Sequence, residues 1–284
     1  MRRHPDRPGA VDFVGPADVA RPLDAREERR VSVTLGLTVG DSLDRLEATA
    51  PTFDLVELSI GEGATDCDDV DDDRLATALA DFDLELLVHL PFQQVVVTPV
   101  SEINDAIVDY QRGLLEWAGA QGATKAVLHG TARNPHDTDL RAPFAAQLEA
   151  IAAAGDDAGV EVVVENVGHQ ARGFPLTVLG DLARETETPV CFDVGHAFAE
   201  DGDDGVERFL SRYGDLISHL HVHDVRSRGD THLPIGAGEI EFDLVAEYLA
   251  GFDGTVAVEV FTDDRPLLRD SADRIAACLG QSDR

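Results

Sequence analysis

The sequence predicts a single α/β domain folded as a (β/α)8 barrel, and three observations carry that reading. Eight short apolar runs recur along the chain, each followed by a longer stretch with helical spacing. The runs are nearly continuous in Val, Ile and Leu rather than alternating, as parallel strands buried on both faces require. Together they fill roughly 250 residues, the usual size of such a barrel. The chain has 284 residues and is 43% hydrophobic, enough apolar material for a sizeable core. No apolar stretch reaches the roughly 18 residues of a membrane-spanning helix, so no membrane partner is expected.

Residues 1–30 stand apart. They carry seven arginines and six acidic residues, with Pro5, Pro8, Pro16 and Pro22 scattered among them. Without a sustained period they read as a flexible N-terminal extension, and residues 31–280 as the barrel domain. Strands are expected at Val31–Leu37, Asp54–Ile60, Leu84–Leu90, Lys125–His129, Val160–Val167, Pro189–Val194, Leu216–His223 and Thr255–Phe261. The first helix starts from the N-cap candidate Asp41 and runs through Leu43 and Leu46. Further helices are expected over Asp73–Ala80, Ser101–Ala120, Leu140–Ala158, Pro175–Thr186, Val206–Tyr213, Phe242–Leu249 and Pro266–Leu279. An open, doubly wound sheet is the alternative, but Gly36-Leu37-Thr38-Val39-Gly40 matches its Gly-rich turn poorly.

The net charge is −32, and Lys125 is the single lysine. Acidic runs such as Asp66–Asp73 and Asp201–Asp204 lie between the apolar segments. Such an Asp-rich, Lys-poor chain resembles halophilic proteins that work in concentrated salt, where repulsion is screened. The charge disfavours nucleic acid as a general partner. Cys67, Cys191 and Cys278 are far apart and form no CxxC pair, which suits a reducing compartment. Arg2 and Arg3 precede no apolar secretory core, so the cytoplasm is the expected location. A homo-oligomer stays open.

In a barrel, catalytic groups come from the C-terminal strand ends. Those ends carry His89 after strand three, His129 after strand four and Glu165-Asn166 after strand five. Strand six ends in Asp193-Val194-Gly195-His196. Strand seven holds His219, His221 and His223-Asp224, with Asp230 and His232 in the loop beyond it, and strand eight ends at Glu259. A barrel gathers these ends around one axis. Several carboxylates buried together need a cation, and carboxylate with neutral imidazole is a divalent-metal donor set.

His89-Leu90-Pro91-Phe92, Glu165-Asn166, Asp193-Val194-Gly195-His196, His221-Val222-His223-Asp224 and Asp230-Thr231-His232-Leu233-Pro234-Ile235-Gly236-Ala237-Gly238 resemble the xylose-isomerase-like TIM-barrel superfamily over about residues 31–279. That superfamily includes sugar-phosphate isomerases and epimerases, inosose dehydratases and abasic-site nucleases of the endonuclease IV type. The resemblance implies two metal arrangements. In the epimerase arrangement Glu165, Asp193, His221 and Glu259 hold one divalent ion. In the endonuclease IV arrangement three zinc ions are bound: His89, His129 and Glu165 match the first, and Glu165, Asp193, His221 and Glu259 the second. His196, Asp230 and His232 match the third. On strand seven, His219 and His223 share a face with His221, so the ligand is open by two residues. The implied cofactor is therefore one to three divalent ions, Mn or Zn, with Mg or Co as alternatives.

Two reactions follow. The first is metal-dependent isomerisation or epimerisation of a sugar, sugar phosphate or similar hydroxy-carbonyl compound. The ion would polarise the carbonyl while Glu165 and Glu259 exchange a proton across the substrate carbon. The alternative is a zinc-dependent phosphodiesterase or abasic-site endonuclease of the endonuclease IV type. Against it, Gln93-Gln94-Val95 follows Phe92 where that branch has a Tyr and an Asn-Leu run, and the loop after strand two is acidic. Arg133, Arg172, Arg226 and Arg228 are basic residues near the strand tops, and Arg226, Arg228, His169 and Glu57 are the candidates for contact with a small substrate. A lyase or dehydratase on the same metal core is a further possibility, and a barrel used only for binding is the non-enzymatic one. Trp117 reads as helix core, and Lys125 starts strand four at the far end of the barrel.

Overall fold

The computed structural model describes residues 33–168, 172–229, 231–248 and 252–279. The expected N-terminal extension falls outside this set. Eight parallel strands close into a barrel in sequence order. They are β1 (Thr34–Gly40), β2 (Leu55–Ser59), β3 (Glu85–His89), β4 (Lys125–His129), β5 (Glu161–Glu165), β6 (Val190–Asp193), β7 (Ile217–Val222) and β8 (Thr255–Val258). The helices are α1 (Leu43–Thr49), α2 (Asp72–Phe82), α3 (Ser101–Ala120), α4 (Arg141–Ala158), α5 (Leu176–Glu185), α6 (Val194–Tyr213), α7 (Phe242–Tyr248) and α8 (Arg265–Cys278). No helix among the described residues is long and apolar enough to cross a membrane.

Three elements differ from the sequence expectation. The first strand sits further along, because pairing of Thr34 with Thr255 and of Gly36 with Leu55 makes Leu35, Leu37 and Val39 its buried outer row. The first helix is capped by Ser42, whose Oγ accepts from the Arg45 N–H at 3.2 Å, and not by Asp41. The sixth helix begins at Val194 rather than at Val206. Asp193 caps it by accepting from the His196 N–H at 2.6 Å. Gly202, at φ 65° and ψ −163°, then kinks it within the acidic stretch that hides its first half in the sequence.

The main core lies between strands and helices, where Phe144, Phe174, Phe192, Phe209 and Tyr213 are fully buried. Inside the barrel the strands alternate, so residues two apart stack as layers. Lys125 and Glu161 pair at the N-terminal end. Val127, Val163 and Cys191 form an apolar layer above them. The next inward positions on these strands are His129, Glu165 and Asp193. On these three strands the alternation sets His129, Glu165 and Asp193 at the C-terminal end, above an apolar layer.

Candidate metal centre

Glu165 and Asp193 are the last residues of β5 and β6. Asp193 pairs in register with His221 of β7, and His221 with Ala257 of β8. Glu259 follows β8, fixed by its N–H donating to the Val222 carbonyl at 3.0 Å. One donor atom from each of Glu165, Asp193, His221 and Glu259 falls within 4.8 Å of all the others. Asn166 splints the β5–β6 end: its Nδ2 donates to the Asp193 carbonyl at 2.8 Å, and its Oδ1 accepts from the Asp193 N–H at 2.9 Å.

His89 and His129 flank the same Glu165, with each Nε2 at 3.3 and 3.2 Å from Oε2. On the other side, donor atoms of His196, His223 and His232 lie within 4.8 Å of one another. His196 Nδ1 is 3.3 Å from Asp193 Oδ2, and His232 Nε2 is 3.7 Å from Glu259 Oε2. Asp230 and His169 lie outside the described residues. Glu57 is fully buried beneath the centre: its Oε2 accepts from His221 Nε2 at 2.9 Å and from His219 Nε2 at 3.1 Å. That contact turns His221 Nδ1 toward Glu165, at 3.2 Å, and Glu259, at 3.5 Å. Of the strand-seven histidines, His219 sits in the floor against Thr255, and His221 faces the carboxylates.

The electrostatics favour a proton on two of the imidazoles, His89 and His196, and disfavour one on His129 and His232. Burial alone would lower the His89 ring, but the Glu165 carboxylate beside it raises it to about 9. His196 is likewise lowered by burial and raised more strongly by Asp193 and Glu165, to about 10. Burial lifts the Glu259 carboxyl to about 7. Burial raises Glu165 too, yet His221 and His129 hold it well below the usual carboxylate range. Glu165 Oε2, Asp193 Oδ2, His196 Nδ1 and Glu259 Oε2 are buried without a hydrogen bond. Such atoms cost free energy unless something unites them. A divalent cation fits this donor set, as hard oxygen and imidazole ligands at one point.

A cavity of about 790 Å³ opens above the centre. Its floor includes His89, His129, Glu165, His196, His232 and Glu259. Arg45 and Arg172 lie on its wall, whereas Arg226, Arg228 and Glu57 are not among its lining residues. Arg45 is a residue sequence reasoning passed over. Its signal was the Ser42 cap, which puts Arg45 on the first turn of α1, and its Nη2 donates to the Val260 carbonyl at 3.1 Å. Phe261 is 70% exposed and stacks on His232 at 4.0 Å between ring centres, 4° from parallel.

A family model described as xylose isomerase-like TIM barrel matches residues 46–278. An uncharacterized protein of Methanocaldococcus jannaschii is 25% identical over 190 residues, 63% of this chain. The chain spans 65% of that curated relative's length. A solved D-tagatose 3-epimerase-like protein superposes with a TM-score of 0.74 at 21% identity, over 88% of this chain and 98% of that one. A family 2 AP endonuclease of Brucella melitensis superposes with a TM-score of 0.64 at 19% identity, over 87% and 98%. At these identities the structural likeness is one of fold.

Proposed function

Because the chain belongs to the xylose isomerase-like TIM-barrel family, we propose that it is a divalent-metal-dependent isomerase or epimerase. Its substrate would be a sugar, sugar phosphate or similar hydroxy-carbonyl compound. One observation carries this reading: Glu165, Asp193, His221 and Glu259 bring one donor atom each within 4.8 Å of the others, and Glu165 and Glu259 also line the cavity. Those four residues would hold the ion. When bound, it supplies Lewis-acid polarisation of a carbonyl and its neighbouring hydroxyl.

The chain's own groups do the rest. Glu165 and Glu259 are the two carboxylates that would exchange a proton across the substrate carbon, one removing it and the other returning it. Apolar Val39, Val95 and Val167 and the rings of Phe92 and Phe261 line the cavity and limit water. Arg45 and Arg172 can orient an anionic or hydroxyl-rich substrate from the wall.

The family 2 AP endonuclease likeness and the His89, His129 and Glu165 group beside the first four donors favour a second reading, a multinuclear phosphodiesterase. The test is metal analysis followed by a panel of ketoses, inososes and abasic DNA. One ion per chain with turnover of a ketose or inosose supports the first reading. Three zinc ions with cleavage of abasic DNA support the second, and a chain that takes up no divalent ion refutes both. Glu259→Gln should lower turnover at least about 100-fold, and full activity on the best substrate would remove the two-carboxylate mechanism.

A further inference from the structure

Among the described residues at the centre, the His223 ring is met by a group that can only donate. The backbone N–H of His232 points at His223 Nδ1 from 3.0 Å. The Asp224 carbonyl, an acceptor, lies farther from the same nitrogen, at 3.4 Å; a backbone N–H has no lone pair, so the nearer contact makes Nδ1 the acceptor and puts the ring's proton on Nε2. His89 shows the opposite arrangement. Its Nδ1 lies 2.8 Å from the Leu90 carbonyl, which can only accept, so Nδ1 keeps a proton and Nε2, 3.3 Å from Glu165, is the nitrogen that can give up its proton to a cation. The same chemistry makes His89 ready to ligate and His223 unable to, although both belong to clusters of metal-donor spacing.

The Nε2 of His223 lies 3.2 Å from Asp193 Oδ1, close enough for a charge–dipole contact but outside hydrogen-bond geometry. That oxygen also accepts from the His196 N–H at 2.6 Å. Asp193 is thus held through Oδ1 and presents Oδ2, which has no hydrogen bond, to the other ligands. We infer that His223 is a positioning residue rather than a metal ligand: its Nε2–H anchors one oxygen of Asp193 so that the other faces the cation. The inference rests on the metal-site reading above for its purpose, but not for its geometry.

Two further features converge on the same ring. A Cβ on Gly195 would lie 2.0 Å from His223 Cε1 and 2.5 Å from Nε2, so glycine there makes room for the imidazole. His232, which supplies the fixing N–H, is held in the left-handed region at φ 53°. Its loop is seated on the buried Asp224 carboxylate, which accepts from the N–H groups of Val225, Gly236, Gly238 and Ile240 at 2.9, 2.9, 2.7 and 3.2 Å. In this chain the Gly-Ala-Gly segment therefore seats the loop that sets His223.

The test is imidazole 15N NMR on metal-free protein, with His223 assigned by its loss in H223Q. The expected spectrum has His223 protonated at Nε2 and not at Nδ1, and keeps that pattern as zinc is added. Divalent-ion affinity is then measured for H223Q, H223L and G195A. Gln can place an amide N–H near the Nε2 position, so H223Q should stay within about threefold of the parent. H223L and G195A should each lose roughly 10- to 100-fold, the range for partners that orient a ligand. G195A removes no polar group, which guards against a leucine variant that fails to fold. A proton on Nδ1, loss of the Nε2 proton on zinc binding, or an H223Q defect as large as that of H223L overturns the inference. If no divalent ion binds at all, the functional reading falls and the metal-free spectrum alone decides this one.

Discussion

Replacing Asp224 with Asn changes one atom of a fully enclosed group, and its consequence can be worked from the hydrogen bonds. Oδ1 serves Val225 and Ile240, and Oδ2 serves Gly236 and Gly238. Whichever way the amide turns, its NH2 faces one of these two pairs of N–H donors. Two hydrogen bonds to a charged acceptor are lost, each worth about 1.5–3 kcal/mol. The remaining pair keeps an oxygen but loses the full charge. The sum is roughly 3–6 kcal/mol if the loop stays seated, and it is capped by the free energy of releasing the loop alone. Asp224 is 1% exposed, so water cannot fill the gap at small cost. Denaturant titration should show a lower midpoint, and amide exchange at Gly236 and Gly238 should accelerate well beyond that of the barrel strands. Because His232 rides on this loop, divalent-ion affinity should fall as well. A variant within about 1 kcal/mol of the parent, with unchanged exchange at both glycines, would refute the seating argument.

Other expectations concern charge. Glu57→Gln should weaken divalent-ion binding by about 10- to 100-fold with the fold intact, because Glu57 holds Nε2 of His221 and leaves Nδ1 for the centre; isothermal titration with an unchanged Kd would refute this. The His89 and His196 rings stand at about 9 and about 10, above the ordinary imidazole value. Their stabilisation of the metal-free chain is complete below about pH 6.5 and is lost as pH rises toward 9–10. The metal-free Tm should therefore drop across that window, and ion binding near pH 8 should release protons, seen as a buffer-dependent heat; zero release would contradict protonation of these two rings. With a net charge of −32, moving from 0.1 to 2 M KCl should raise Tm by several degrees as repulsion is screened. A flat or falling Tm would show that the acidic surface is no adaptation to salt.

Much of the barrel was legible in the sequence because its signals are local. Continuous Val/Ile/Leu runs mark strands covered on both faces, and the period-two alternation inside β4, β5 and β6 already places His129, Glu165 and Asp193 on the inner row. Caps read less well. Asp193 had the strand-end signal, but the acidic residues and Gly202 that follow conceal its second task of starting α6. The first strand was displaced because only its pairing with β2 and β8, distant in sequence, fixes its limits.

The candidate site divides the same way. Residue type and strand-end position nominated Glu165, Asp193, His221, Glu259, His89, His129, His196 and His232, and the barrel brings them together. How each one is held was decided in three dimensions. Period two could not tell His221 from His219 or His223, and only contacts across the barrel did so: Glu57 beneath His221, Thr255 beside His219 and the His232 N–H on His223. Glu57 was a substrate candidate by sequence and lies under the centre instead of along the cavity. Arg45, far from the strand-end motifs, reaches the cavity wall because α1 packs beside β8's end. A sequence states which donors are available at which strand end. The direction of each lone pair depends on the neighbour that takes the other proton, and closure of the barrel alone chooses that neighbour.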